Sequence, residues 1–255
     1  MTKIAEAPTA VANPEEASEA KGTQARQFET RDKPSHSRMA VGASRKVRIV
    51  VDALLAILLV LVVALPVTHA VAHEWVGIGV VVLAIVHVCI NARRIVRMAK
   101  RHSPGTMLAL LLDLALVVGI VAMTASSLVL SEHVFSWLPA FPGASWARTL
   151  HLAGSYWLFV LAFVHCGIHF KEIAGKAMRR PVWKWVGRVA FAACLVVGAY
   201  WFAQMGIWSY MTLQVQFAFI DPTVPWWAKA GQFTAMAVAI AGISHYCASV
   251  VRKLA

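Results

Sequence analysis

Two stretches decide the reading of this chain: His73-Glu-Trp-Val-Gly-Ile-Gly-Val-Val-Val-Leu-Ala-Ile-Val-His87 and His151-Leu-Ala-Gly-Ser-Tyr-Trp-Leu-Phe-Val-Leu-Ala-Phe-Val-His165. Each is an apolar run closed at both ends by histidine, and in each the two histidines stand fourteen residues apart. Fourteen steps of about 100° bring a helix back to within about 40° of its start, so both histidines share a face. Fourteen rises of about 1.5 Å put about 21 Å between them, which fits inside a hydrocarbon layer about 30 Å thick. Two such helices side by side offer two stacked bis-imidazole sites, an arrangement that suits two haems within a membrane.

The composition agrees with a membrane setting. Hydrophobic residues make up 59% of the 255 and charged residues 14%, against about 25% charged in a soluble domain. The net charge of +12 does not point to nucleic acid, because no basic, aromatic-interleaved soluble module remains to carry it. Nine of the 24 Lys and Arg lie in residues 1–48, and most of the others flank apolar runs, where they set topology. The four cysteines, Cys89, Cys166, Cys194 and Cys247, stand singly in apolar runs and form no C-x-x-C. They read as small buried hydrophobes, and the absence of C-x-x-C-H excludes covalently attached haem.

Residues 1–46 are polar and carry one aromatic, Phe28. Such a segment cannot offset its ordering entropy and reads as a disordered tail. A signal peptide is not expected, since the first apolar run begins late and is too long. Six apolar spans follow, at about 48–70, 74–96, 106–130, 147–170, 184–208 and 226–250. Continuous apolar runs of this length predict helices rather than barrel strands. The expected fold is therefore all-α and polytopic, with a four-helix bundle over 47–175 and two additional spans over 176–255.

Charge counting orients the spans. Arg93, Arg94, Arg97, Lys100 and Arg101 follow the second span, and Lys171, Lys176, Arg179, Arg180, Lys184 and Arg188 join the fourth to the fifth. Arg252 and Lys253 follow the sixth, whereas the opposite loops hold only Arg148 and Lys229 at their edges. The positive-inside rule puts both termini in the cytoplasm. Trp75, Trp137, Trp146, Trp226 and Trp227 then form an outer aromatic belt, and Pro139 and Pro142 break the outer loop between spans three and four. Spans two and four run parallel, so His73 and His151 share an outer level and His87 and His165 a deeper one.

Zinc or copper needs three or four ligands converging on one point, which ligands spread over about 21 Å cannot supply. Two axial imidazoles on each haem iron leave no open position and favour electron transfer over oxygen chemistry. Gly77, Gly154, Gly167 and Gly119 are small enough to admit a flat macrocycle, and equally serve ordinary helix packing. Arg148 is the cation available to a propionate at the outer level, and Arg94, Arg97 and Lys171 are those at the inner one. His169, one turn beyond His165, is open to three roles: substitute ligand, quinone contact or propionate partner. His69 and His133 end spans at the outer surface and read as solvated; His245 stands alone on span six and reads as packing or hydrogen bonding. Asp52 and Asp113, inside spans one and three, are costly there. They read as proton uptake beside a quinone or, more simply, as groups paired with an arginine or snorkelling to the interface.

On these residues the chain resembles the four-helix, di-haem membrane cytochromes b, including ferric-reductase-like transmembrane domains and the cytochrome b subunits of quinol-oxidising complexes. The stretch Leu150-His-Leu-Ala-Gly-Ser-Tyr-Trp157, with Val164-His-Cys-Gly-Ile-His169, looks most like a small prokaryotic branch of cytochrome-b-like proteins. The resemblance covers about 48–172. It implies two haem b groups, with bis-histidine ligation by His73, His151, His87 and His165, in a prokaryotic plasma membrane. Ferric reductases append flavin and nucleotide domains, whereas this sequence has no Gly-rich dinucleotide fingerprint. Hydride chemistry is therefore expected of a separate redox protein.

The first functional expectation is an electron-transfer subunit working between quinol and a partner reductase. A histidine-relay proton or metal transporter would carry more intramembrane carboxylates and an inverted repeat. A cofactor-free assembly subunit leaves the four matched histidines without a role.

Overall fold

The computed structural model describes residues 36–65, 69–101, 103–138, 144–174, 181–217, 221 and 223–254. They form α1 (His36–Ala64), α2 (Ala70–Ala99), α3 (Pro104–Leu130), α4 (Ala144–Ala174), α5 (Pro181–Gln204), the short α6 (Ile207–Met211) and α7 (Trp226–Leu254). No strand occurs among the described residues. Six of the helices are long and apolar enough to cross a membrane, so the chain is an all-α, polytopic membrane protein, as its composition predicts. Of the tail expected to be disordered over 1–46, residues 1–35 lie outside the described residues, and the stretch from His36 is helical, so α1 begins ahead of the span expected from residue 48. Arg48–Ala255 forms one compact unit.

Local chemistry sets several helix ends. Ser103 caps α3, its hydroxyl accepting from the Thr106 amide at 3.4 Å, with Pro104 at the first turn where no amide is needed. The fifth span was expected to run to 208, but it stops at Gln204, because Gly206 takes a left-handed conformation (φ 59°). That turn redirects the chain into α6. Pro139 and Pro142 lie outside the described residues.

The Arg48–Ala255 unit does not divide at residue 175. α4 packs closely on α3, α6 and α7, and α7 also packs on α5. The core joins Leu59 and Ala64 of α1, Phe159 and Phe163 of α4, Ile207 and Met211 of α6, and Phe233, Met236 and Ala237 of α7. Tyr156 and Tyr210 stack at 5.3 Å, and the Trp157 indole N–H donates to the Met211 carbonyl at 3.0 Å. At Gly167 the α7 backbone comes so close that a Cβ would collide with the Ala241 carbonyl. The last two spans are therefore built into the core that backs α4.

The outward surface is apolar. Leu108, Leu111, Leu114, Val118 and Val121 of α3 stand exposed, which fits lipid as the surrounding solvent. The five boundary tryptophans, Trp75, Trp137, Trp146, Trp226 and Trp227, are exposed as well. All four cysteines are free, but Cys89 and Cys247 are exposed rather than buried. In lipid the helix exterior is itself apolar, so a small hydrophobe gains little by facing inward.

Candidate functional site

Helices α2 and α4 bring the four histidines into two facing pairs. The rings of His73 and His151 lie 6.0 Å apart between centroids, and those of His87 and His165 lie 6.1 Å apart. The fourteen-residue spacing on each helix thus matches ring to ring at both levels. All four residues are half-buried.

Each ring has its Nδ1 turned to an acceptor on the preceding helix or its end. His73 Nδ1 lies 3.1 Å from the Leu65 carbonyl, just beyond α1, and His87 Nδ1 lies 2.7 Å from Asp52 Oδ1 on α1. His151 Nδ1 lies 3.3 Å from the Ser126 hydroxyl and 3.4 Å from that of Ser127, both on α3. His165 Nδ1 lies 2.9 Å from Asp113 Oδ1 on α3, close enough to pair but off the line of a directed hydrogen bond. A carbonyl can only accept, so Nδ1 of His73 is the donor. Ser126 donates its own proton to the Met123 carbonyl at 2.9 Å, which leaves its oxygen to accept from His151. The proton therefore sits on Nδ1 of His73 and His151, which leaves their Nε2 lone pairs for another partner, and a carboxylate facing Nδ1 of His87 and of His165 favours the same arrangement there.

The separation of each pair suits a metal between the rings. Two metal–nitrogen bonds of about 2 Å, with about 1.1 Å from each nitrogen to its ring centre, span about 6.2 Å. Backing a ligating imidazole with a carboxylate or carbonyl is the usual way its orientation and basicity are fixed. Only Asp113, His165 and His169 form a group of three metal-ligand side chains among the described residues, with ligand atoms within 4.8 Å of one another.

His169 is otherwise engaged. Arg94 Nη2 donates to its Nδ1 at 2.9 Å, and its ring stands 4.7 Å from that of His165. Of the other two cations expected at this level, Arg97 donates to the Arg93 carbonyl at 3.2 Å, and Lys171 has its side chain outside the described residues. Arg148 is exposed near the start of α4, one turn before His151. Gly77 lies opposite Val62, Gly119 opposite Leu158 and Gly154 opposite Met123, so these glycines sit at helix contacts.

Glu74, beside His73, carries no role in the sequence reading, yet it anchors the end of α3. Its carboxylate accepts from the Ser131 hydroxyl at 2.7 Å and from the amides of Glu132, His133 and Val134 at 3.1, 3.3 and 2.8 Å. His133 Nδ1 also lies 3.3 Å from it, so this histidine is tied to Glu74 rather than simply solvated. His69 occupies the N-cap position of α2 without a side-chain cap bond. His245 packs edge-on against Phe170 at 5.2 Å, with a buried Nδ1 that has no hydrogen-bond partner among the described residues. Asp52 and Asp113 neither pair with arginine nor snorkel; each faces a histidine.

The sequence held a signal for these partners. Asp52 stands thirteen residues before Leu65, and Asp113 thirteen before Ser126. In an antiparallel hairpin that step back matches the fourteen-residue step forward from His73 to His87 and from His151 to His165. No protein-family model, curated protein or solved structure matches the chain.

Proposed function

We propose that this chain is an integral-membrane di-haem b-type cytochrome that carries electrons across the bilayer between the quinone pool and a separate redox protein. The observation that carries the reading is the pair of imidazole couples, 6.0 and 6.1 Å apart between ring centres, with an oxygen within 3.3 Å of each Nδ1. Two imidazoles leave most of a metal's coordination positions open, and a planar tetrapyrrole would fill them. Haem b supplies those positions together with a one-electron Fe(III)/Fe(II) couple.

The protein's part is positional. His73 and His151 hold one iron, His87 and His165 the other, and the Leu65 carbonyl, Asp52, Ser126 and Asp113 keep the rings turned inward. With haem bound, two imidazoles at each level would leave no position for oxygen and would limit the group to electron transfer. Arg148 at one level and Arg94 at the other stand where propionates need cations. With the Lys- and Arg-rich segments cytoplasmic, His73 and His151 lie toward the outer face of a prokaryotic plasma membrane and His87 and His165 toward the inner one.

A second reading draws on the cluster of Asp113, His165 and His169, which offers three ligands to a single transition metal. Arg94 weighs against it, since a guanidinium donating to His169 occupies that ring's lone pair and places positive charge beside the cation.

Reduced-minus-oxidised visible spectroscopy with haem quantification decides between them. The expected result is low-spin b-type bands and two haems per chain, falling to one when His73 or His87 is replaced singly by Leu. A colourless protein that binds zinc through Asp113 and His165 would replace the first reading by the second.

A further inference from the structure

The two histidine pairs differ in what stands behind them. Both rings of the His87/His165 pair face carboxylates, at 2.7 and 2.9 Å. Both rings of the His73/His151 pair face neutral oxygens, a carbonyl and two hydroxyls. We propose that Asp52 and Asp113 make the His87/His165 centre the lower-potential one of the two, so that electrons run downhill from it to the His73/His151 centre. The proposal rests on the di-haem reading above.

A carboxylate drawing on the Nδ1 proton pushes electron density onto Nε2 and stabilises ferric over ferrous iron. Two negative charges close to one iron add a direct Coulomb term of the same sign, strengthened by the low dielectric of the bilayer. Opposing charges are present at this level too. Arg94 contacts His169 at 2.9 Å, and Arg48 lies one turn along α1 from Asp52. Around the other pair, the Glu74 carboxylate is turned to Ser131 and to the amides of residues 132–134 rather than to either imidazole of the pair. Arg148 is exposed at that end and favours the reduced state there. Arg94, Arg48 and Glu74 act against this order, and the two carboxylates that directly face the His87 and His165 rings outweigh them.

With haem at both levels, one electron would pass from the His87/His165 centre to the His73/His151 centre. The Nδ1 protons stay in place and no bond changes. A quinol or reduced redox protein supplies the electron at the first of these centres, and an oxidised redox protein removes it at the second.

The test is a potentiometric titration of the full chain in detergent, followed in the visible α-band. His73→Leu protein keeps only the aspartate-backed centre and His87→Leu protein only the other. The first is expected to titrate at the lower midpoint. Asp52→Asn and Asp113→Asn should each raise the lower midpoint of the two-haem protein and leave the higher one in place, while Asp113→Glu keeps it low. Equal or reversed midpoints in the two single-haem proteins overturn the proposal, as does an asparagine variant that moves both waves alike. If the asparagine variants lose a haem, the order in the single-haem proteins decides alone. A wild-type chain without haem removes the functional reading and this proposal together; two haems in the wrong order remove only this one.

Discussion

Glu74 shows how much one side chain inside an apolar span can organise. A carboxylate at the end of α2 is costly to desolvate, and the cost is offset because a hydroxyl, three amides and the His133 ring turn toward it. Replacing it by Gln removes the charge and sets an NH2 against N–H donors, at a cost of about 1–3 kcal/mol. Glu74→Gln protein should melt lower than wild type, and the amides of Glu132, His133 and Val134 should exchange with solvent markedly faster. Unchanged exchange there would show that the carboxylate does not hold this segment. Nothing in the sequence around Glu74 names its partners, because they lie almost sixty residues on and meet it only through the α2–α3 hairpin. The four histidines were readable for the opposite reason. Their partners repeat at one interval, and helical geometry converts an interval into a depth without any knowledge of the fold.

Between elements, the site is one scheme used twice. The α1–α2 and α3–α4 hairpins each put the Nδ1 acceptors on the first helix or its end and the two imidazoles on the second. The thirteen- and fourteen-residue steps that build it were present in the sequence but unreadable as a repeat, since a carbonyl in one hairpin corresponds to a serine in the other. Helix seams were legible only in part: a glycine in a span signals close approach without saying to what. Gly167 meets the α7 backbone at Ala241, whereas Gly105 near the start of α3 has open space around it. Gly167→Ala should therefore force α4 and α7 apart and cost about 1–3 kcal/mol. Gly105→Ala should be neutral or stabilise by up to about 1 kcal/mol through the entropy of the unfolded chain. Thermal melts of the two variants in one detergent check this, and a Gly167→Ala protein as stable as wild type would mean that the seam is looser than the structure has it.

For the molecule as a whole, the division expected at residue 175 follows the chemistry of the histidines but not the packing. Spans one to four hold the four imidazoles, while the core that backs α4 takes Ile207 and Met211 from α6 and Phe233, Met236 and Ala237 from α7. Periodicity reports which residues are apolar, and in a membrane chain nearly every helix face is. The sequence therefore could not separate the face packed on protein from the face turned to lipid. A chain ending after α4 would leave Phe159 and Phe163, now 2% and 7% exposed, facing lipid in place of the aromatic and aliphatic groups they interlock with. Lipid replaces the lost apolar environment but not the close packing, the Trp157–Met211 hydrogen bond or the Tyr156–Tyr210 stack. The expected outcome is that residues 1–175 expressed alone insert but aggregate in detergent, and that co-expression with residues 176–255 as a second chain restores a monodisperse complex. Size-exclusion chromatography of the fragment and of the co-expressed pair measures it. A monodisperse 1–175 fragment with the stability of the full chain would show that α5 to α7 are an addition to the bundle rather than the wall that supports α4.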